Sequence, residues 1–150
     1  PDAPHKRDHF HAVVHDNKLY CMGGRDTSYH EPDNFGAFFR KTVTEIDRYD
    51  FETGEWSTLE TRLPVGSAAG GIGVLDGKII YFGGENGEQG LAVKQAWVFD
   101  PASETWADLA DMNIGRHGSQ AVVYGDKIYI AGGSPKRGGG RTDTIEAFSF

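Results

Sequence analysis

The chain has 150 residues, enough for one domain with a hydrophobic core. It is 38% hydrophobic and 25% charged, and its formal charge of −7 argues against a general nucleic-acid binder, which needs a basic face for the phosphates. Cys21 is the only cysteine, which excludes an intrachain disulfide, and no apolar run approaches membrane-spanning length, so no membrane insertion is expected.

Taken in order, the chain opens on PDAPHKRDHF, which contains no signal peptide; starting at Pro1 without a methionine, it reads as a processed or excised N-terminus. The first hairpin is HAVVHDNKLYCMGG, with Asp16-Asn17 as its turn between two apolar runs. A long loop, RDTSYHEPDNFGAFFRKT, leads to VTEIDRYD and then to DFETGEWSTL. After the link ETRLPVGSAAG the order recurs: GIGVLDGKIIYFGG turning at Asp76-Gly77, then QAWVFD, then DPASETWADL. The link LADMNIGRHGS opens a third copy, QAVVYGDKIYIAGG, turning at Gly125-Asp126 and followed by the loop SPKRGGGRTD and the run TIEAFSF. Lys18, Lys78 and Lys127 occupy one position, while Trp56 and Trp106, like Asp50 and Asp100, are 50 residues apart. The repeat is therefore about 50 residues, a period that marks solenoids and propellers.

Each unit is expected to hold four short strands, a to d: a and b form the hairpin, c carries Tyr/Phe-Asp, and d carries the tryptophan. So small a sheet cannot bury both faces alone, and stacking units around an axis solves that. The strand count is four, four and three, because Ser149 replaces the aspartate and no tryptophan strand follows.

A hydrophobic hairpin ending in Gly-Gly, then Tyr-Asp, then Trp resembles the kelch repeat, over almost the whole chain. The resemblance implies an all-β, kelch-type β-propeller of four-stranded antiparallel blades at about 7–62, 63–115 and 116–150, the last lacking strand d. It implies part of a larger six- or seven-bladed ring, closed by a strand encoded upstream; two copies assembling into one ring is the alternative. Expected partners are accordingly the remaining blades or a second copy, besides the ligand.

In such propellers the d–a links and b–c loops share the face that binds the partner, and loops on a rigid scaffold are where function concentrates. Arg7, Ser67 and Arg116 align just before strand a; Arg25, Glu85 and Ser134 follow the glycine pairs. The resemblance thus suggests that Arg7, Arg25 and Arg116 converge on an anionic or hydroxyl-rich ligand. The competing reading is that these arginines bond loop carbonyls and neighbouring acids. His117 aligns with Asp8 at the same rim, beside His9. The first b–c loop offers Tyr29 and His30 as available rings, with Phe38 and Phe39 expected to fold back on the blade. Arg137, in the third loop, stands next to three glycines that could cradle an anion, although a solvated loop is the plainer expectation.

The leading function is a binding module for a glycan, peptide or protein. The alternative is a carbohydrate-active enzyme of the kelch type, copper-oxidase-like or sialic-acid-epimerase-like. An epimerase would draw acid–base groups from Arg7, His9, Glu85, Arg116 and His117. The copper reading needs a cysteine–tyrosine crosslink and two histidines, but Cys21 adjoins Tyr20 on the opposite strand face. No catalytic residue, metal or cofactor is assigned; His9 and His11 are the weak pair for zinc or copper if strand a begins near His9. By resemblance alone, a short polar kelch chain with a GGGR loop suggests a bacterial secreted or surface protein.

Overall fold

The computed structural model describes residues 1–29 and 31–150, and among them the chain is built of eleven strands and one short 3-10 helix. The first sheet joins β1 (His11–His15), β2 (Lys18–Met22), β3 (Glu45–Asp50) and β4 (Glu55–Arg62) in that order. The second joins β5 (Gly71–Leu75), β6 (Lys78–Phe82), β7 (Ala96–Asp100) and β8 (Thr105–Asp108). The third has three strands, β9 (Ala121–Tyr124), β10 (Lys127–Ala131) and β11 (Ile145–Phe148). All neighbouring pairs are antiparallel, and the sheets are consecutive blades of a partial β-propeller.

The hairpin turns carry the positive φ angles that two-residue loops require. Asp16 and Asn17 lie at 47° and 54°, Asp76 and Gly77 at 48° and 70°, and Gly125 at 60°. The three registers coincide as a result: His15 faces Lys18, Leu75 faces Lys78, and Tyr124 faces Lys127.

Alternation along these strands sends neighbouring side chains to opposite sides of each blade. Tyr20, Met22 and Ile46 of the first blade meet Ile72, Ile79, Tyr81 and Phe99 of the second in one buried cluster, against which Trp106 packs. Ile80, Phe82 and Leu75 leave the other side of the second blade and meet Ile128 and Ile130 of the third. The outer side of the third blade is uncovered, with Val122, Tyr124 and Ile145 exposed.

The paired glycines join the blades. Gly24 and Gly84 donate their N–H groups to the Ser67 and Arg116 carbonyls of the next blade, at 2.9 and 2.8 Å. Gly84 has φ +100°, and a Cβ there would lie 2.8 Å from the Ala68 carbonyl oxygen. Only glycine allows both the dihedral and the approach. A second ladder runs beside it: Ala69 N–H donates to His9 carbonyl at 2.6 Å, and Gly118 N–H to Ala69 carbonyl at 2.9 Å.

Candidate functional site: the loop face

Just past each glycine pair the chain makes one short bridge to the link preceding strand a. Asp8 pairs with Arg25, Ala68 with Glu85, and His117 with Ser134, each through two reciprocal backbone hydrogen bonds. The three blades thereby set Arg25, Glu85 and His117 at equivalent levels on one face, where they meet.

Arg25 Nη1 donates to Glu85 Oε1 at 2.6 Å, across the boundary between the first two blades. Both side chains are buried. Glu85 Oε2 accepts from Gly138 N–H at 2.7 Å and lies 3.3 Å from His117 Nε2, so it also reaches the third blade. His117 Nε2 is 2.8 Å from the Lys136 carbonyl oxygen, to which it donates. One carboxylate therefore ties together loops from three blades.

An aromatic layer covers the pair. The 3-10 helix Ala37–Arg40 carries Phe38 and Phe39, and the Arg25 guanidinium lies 4.9 and 4.8 Å from their ring centres. Phe39 is buried and Phe38 half-buried, so both fold back on the blade as expected. Arg137 stacks on Phe39 at 5.6 Å and donates to the Gly87 carbonyl at 3.0 Å. The third b–c loop is solvent-exposed from Lys136 to Arg141, as expected, but it is also docked: Ala92 N–H bonds the Pro135 carbonyl and Arg137 N–H the Gly90 carbonyl, which hold it on the second blade.

The expected convergence of Arg7, Arg25 and Arg116 is corrected by the geometry: only Arg25 reaches the shared cluster. Arg7 bonds the Gly23 and Glu45 carbonyls and pairs with Asp47 at 2.6 Å. Arg116 bonds the Ile114, Gly132 and Thr144 carbonyls and pairs with Glu146. Both guanidinium groups are almost wholly buried and face inward to strand c of their own blade. At the equivalent place in the second blade, Ser67 faces Tyr81, whose hydroxyl lies 3.2 Å from the Ser67 hydroxyl and donates to its carbonyl. Burial pushes the Tyr81 phenol up to about 12. Ser134 is buried and its hydroxyl donates to the Lys136 carbonyl.

His9 and His11 do not share a strand face, because β1 begins at His11 and His9 lies at φ 50° outside it. The His9 ring bonds Asp8, and His11 Nδ1 donates to the Gly70 carbonyl at 2.6 Å. Among the described residues no three His, Cys, Asp or Glu side chains are placed to hold one metal ion. Tyr29 is 41% exposed, with the Lys41 ammonium 5.6 Å from its ring centre; His30 lies outside the described residues.

Two residues escaped the sequence reading. Asp47 is fully buried and gathers Arg7, Thr58 and His5, whose Nδ1 is 2.9 Å away. Glu146 accepts from the N–H groups of Asn113 and Ile114 as well as from Arg116. A signal existed. In strand c, Asp47 and Glu146 align with Trp97, as Arg7 and Arg116 align with Ser67, so arginine and acid occur together and are replaced together.

Two clefts open on this face. One, of about 600 Å³, is lined by Thr27, Glu31, Asp33, Asn34, Phe35 and Phe38. The other, of about 380 Å³, lies between the first two b–c loops, with Arg40 on one side and Asn86 on the other.

A family model for the KLHDC2/KLHL20/DRC7 Kelch-repeats domain matches residues 1–133. Kelch-like protein terF of Aspergillus terreus is 30% identical over 99% of this chain and 30% of its own length. Kelch-like protein 40 of Xenopus laevis is 30% identical over 100% of this chain and 22% of its own length, and alpha-scruin of Limulus polyphemus 30% identical over 85% and 13%. The chain thus spans less than a third of the length of these curated relatives. The solved structure of YjhT superposes with a TM-score of 0.79 at 21% identity, over 96% of this chain and 49% of that one.

Proposed function

The chain belongs to the kelch-repeat family, and from that premise we propose that it is a protein-interaction module, recognising a protein or peptide through the face built by its d–a links and b–c loops. The observation that carries this reading is the Glu85 junction. Loops from three blades are held by one buried carboxylate, which gives a preorganised platform. Phe35, 81% exposed, and Tyr29, 41% exposed, offer aromatic contacts on the same face. The coverage of YjhT supports placing these blades in a ring about twice this size.

A glycan is the second ligand class, because exposed Tyr29 and Phe35 offer faces on which a sugar ring could stack. For the enzyme reading, three of the five acid–base candidates, Arg7, Glu85 and Arg116, are buried in internal pairs. The test presents the full chain to a random-peptide display library and to a glycan array, each repeated with a Tyr29→Ala/Phe35→Ala double variant. Peptides that bind the wild type and lose at least about tenfold in the variant are expected. Binding of glycans alone would replace the protein partner, and binding indifferent to the variant would place the interface elsewhere.

A further inference from the structure

We propose that the cleft beside Phe35 takes a basic segment of the partner, an arginine or lysine flanked by apolar side chains. This rests on the interaction reading above and specifies its partner. The loop itself shows the chemistry. Three cations of this chain already sit on its aromatic rings: Arg25 on Phe38 and Phe39, Arg137 on Phe39, and Lys41 on Tyr29. Phe35 is the outermost ring of that series, edge-on to Phe38 at 5.2 Å, and among the described residues no cation lies over it.

The ring is presented by a built loop. Asn34 N–H bonds the Glu31 carbonyl at 3.1 Å, and Ala37 N–H bonds the Asn34 carbonyl at 3.0 Å. Phe38, beneath it, is stacked against buried Phe39 at 4.4 Å. Phe35 can therefore receive a partner at little ordering cost.

Charge selects the partner. Glu31 and Asp33 line the cleft beside the ring, and Thr27, on its wall, leads to Asp26 and binds the Asp8 carboxylate. Burial alone would raise the Asp8 carboxyl, but hydrogen bonds from Thr27 and His9 outweigh it and hold it ionised below its ordinary value. Arg40 reaches Glu31 at 3.3 Å, and Arg25 lies between Glu85 and Asp8 at 2.6 and 3.9 Å, so Asp33 is the carboxylate lining the cleft that no cation meets among the described residues, within a chain of net charge −7. An arginine suits both halves of such a cleft, because guanidinium stacks on an aromatic face while its edge bonds carboxylate. An acidic segment would meet like charge.

The test uses three short synthetic peptides of identical leucine and phenylalanine spacing, with intervening positions all arginine, all glutamine or all glutamate. Their affinities for the full chain are measured by calorimetry at low and physiological salt. The arginine peptide is expected to bind at least about tenfold tighter than the glutamate peptide, with the margin narrowing as salt screens the charges. Phe35→Ala should weaken it by about tenfold, and Asp33→Asn, which tolerates the local φ of 62°, by a few-fold. Equal or tighter binding of the glutamate peptide, still lost in Phe35→Ala, would overturn the basic partner and leave the loop face standing. Arginine-peptide binding unaffected by Phe35→Ala would overturn the cleft, while the loop-face reading is decided separately by the double variant. Binding of none of the three would overturn the basic-segment proposal, while peptides from the display library lost in the double variant would still uphold the face.

Discussion

Arg25 and Glu85 lie 60 residues apart in sequence and 2.6 Å apart in space, and their ion pair crosses from one blade to the next. Removing one partner of a buried pair leaves the other charged and unsolvated, which costs about 3–5 kcal/mol. Glu85→Ala should therefore destabilise the chain by about 3 kcal/mol in urea unfolding. An Arg25→Met/Glu85→Leu double variant should recover much of that loss. If the double variant is as unstable as the sum of the two single ones, the charges act independently and the junction is not a unit.

Arg7 and Arg116 hold their blades together. Arg116→Ala leaves the Gly132 carbonyl without its donor and Glu146 without its counter-charge, and Arg7→Ala leaves Asp47 without its main counter-charge. Each should lower stability by about 3 kcal/mol in the same assay, while ligand affinity per folded molecule stays at the wild-type value. A large loss of affinity with stability intact would return these arginines to the ligand face.

Acid should weaken the fold through its pinned carboxylates. For Glu146, burial favours the neutral form, but donors from Asn113, Ile114 and Arg116 outweigh it and hold the group below its ordinary value of 4.5. Its folded pKa lies below its unfolded one, so the stability it adds is present above about pH 4.5 and is lost as pH falls through the folded value. Glu146→Gln should be less stable than wild type at pH 7 yet lose less between pH 5 and pH 3, measured by thermal melts across that range. Parallel curves for the two proteins would refute the linkage.

The Gly-Gly junctions should tolerate no side chain. Gly84→Ala meets the Ala68 carbonyl at 2.8 Å and an unfavourable φ, so it should lower stability by at least about 2 kcal/mol. Gly90 has open space around it and no positive φ, and Gly90→Ala should be silent. Thermal melts of the two side by side separate a junction effect from a general intolerance of alanine.

The blades were legible because their signals are local. Asp16-Asn17 and Asp76-Gly77 announce hairpins through turn chemistry, and the spacing from Asp50 to Trp56 recurs from Asp100 to Trp106. The rim position of Arg25 and Glu85 was visible in the same way, but not their pairing. That depends on how one blade turns against the next, which no single repeat encodes. Arg7 and Arg116 pointed to a ligand because their alignment shows where the backbone is, not where the guanidinium goes. His5 lies in the opening link and reaches Asp47 across 42 residues, without a counterpart in the other repeats to expose it.

The most direct measurement of the Glu85 junction is amide hydrogen exchange on the full chain and on Glu85→Gln, followed over the first and third b–c loops. If one carboxylate binds three blades into a single face, exchange should accelerate together in the segment 37–41 under Phe38 and Phe39 and at Gly138, whose N–H donates to Glu85. A change confined to the second blade, with Gly138 and the 3-10 helix as protected as before, would show three independent loops and contradict a preorganised platform.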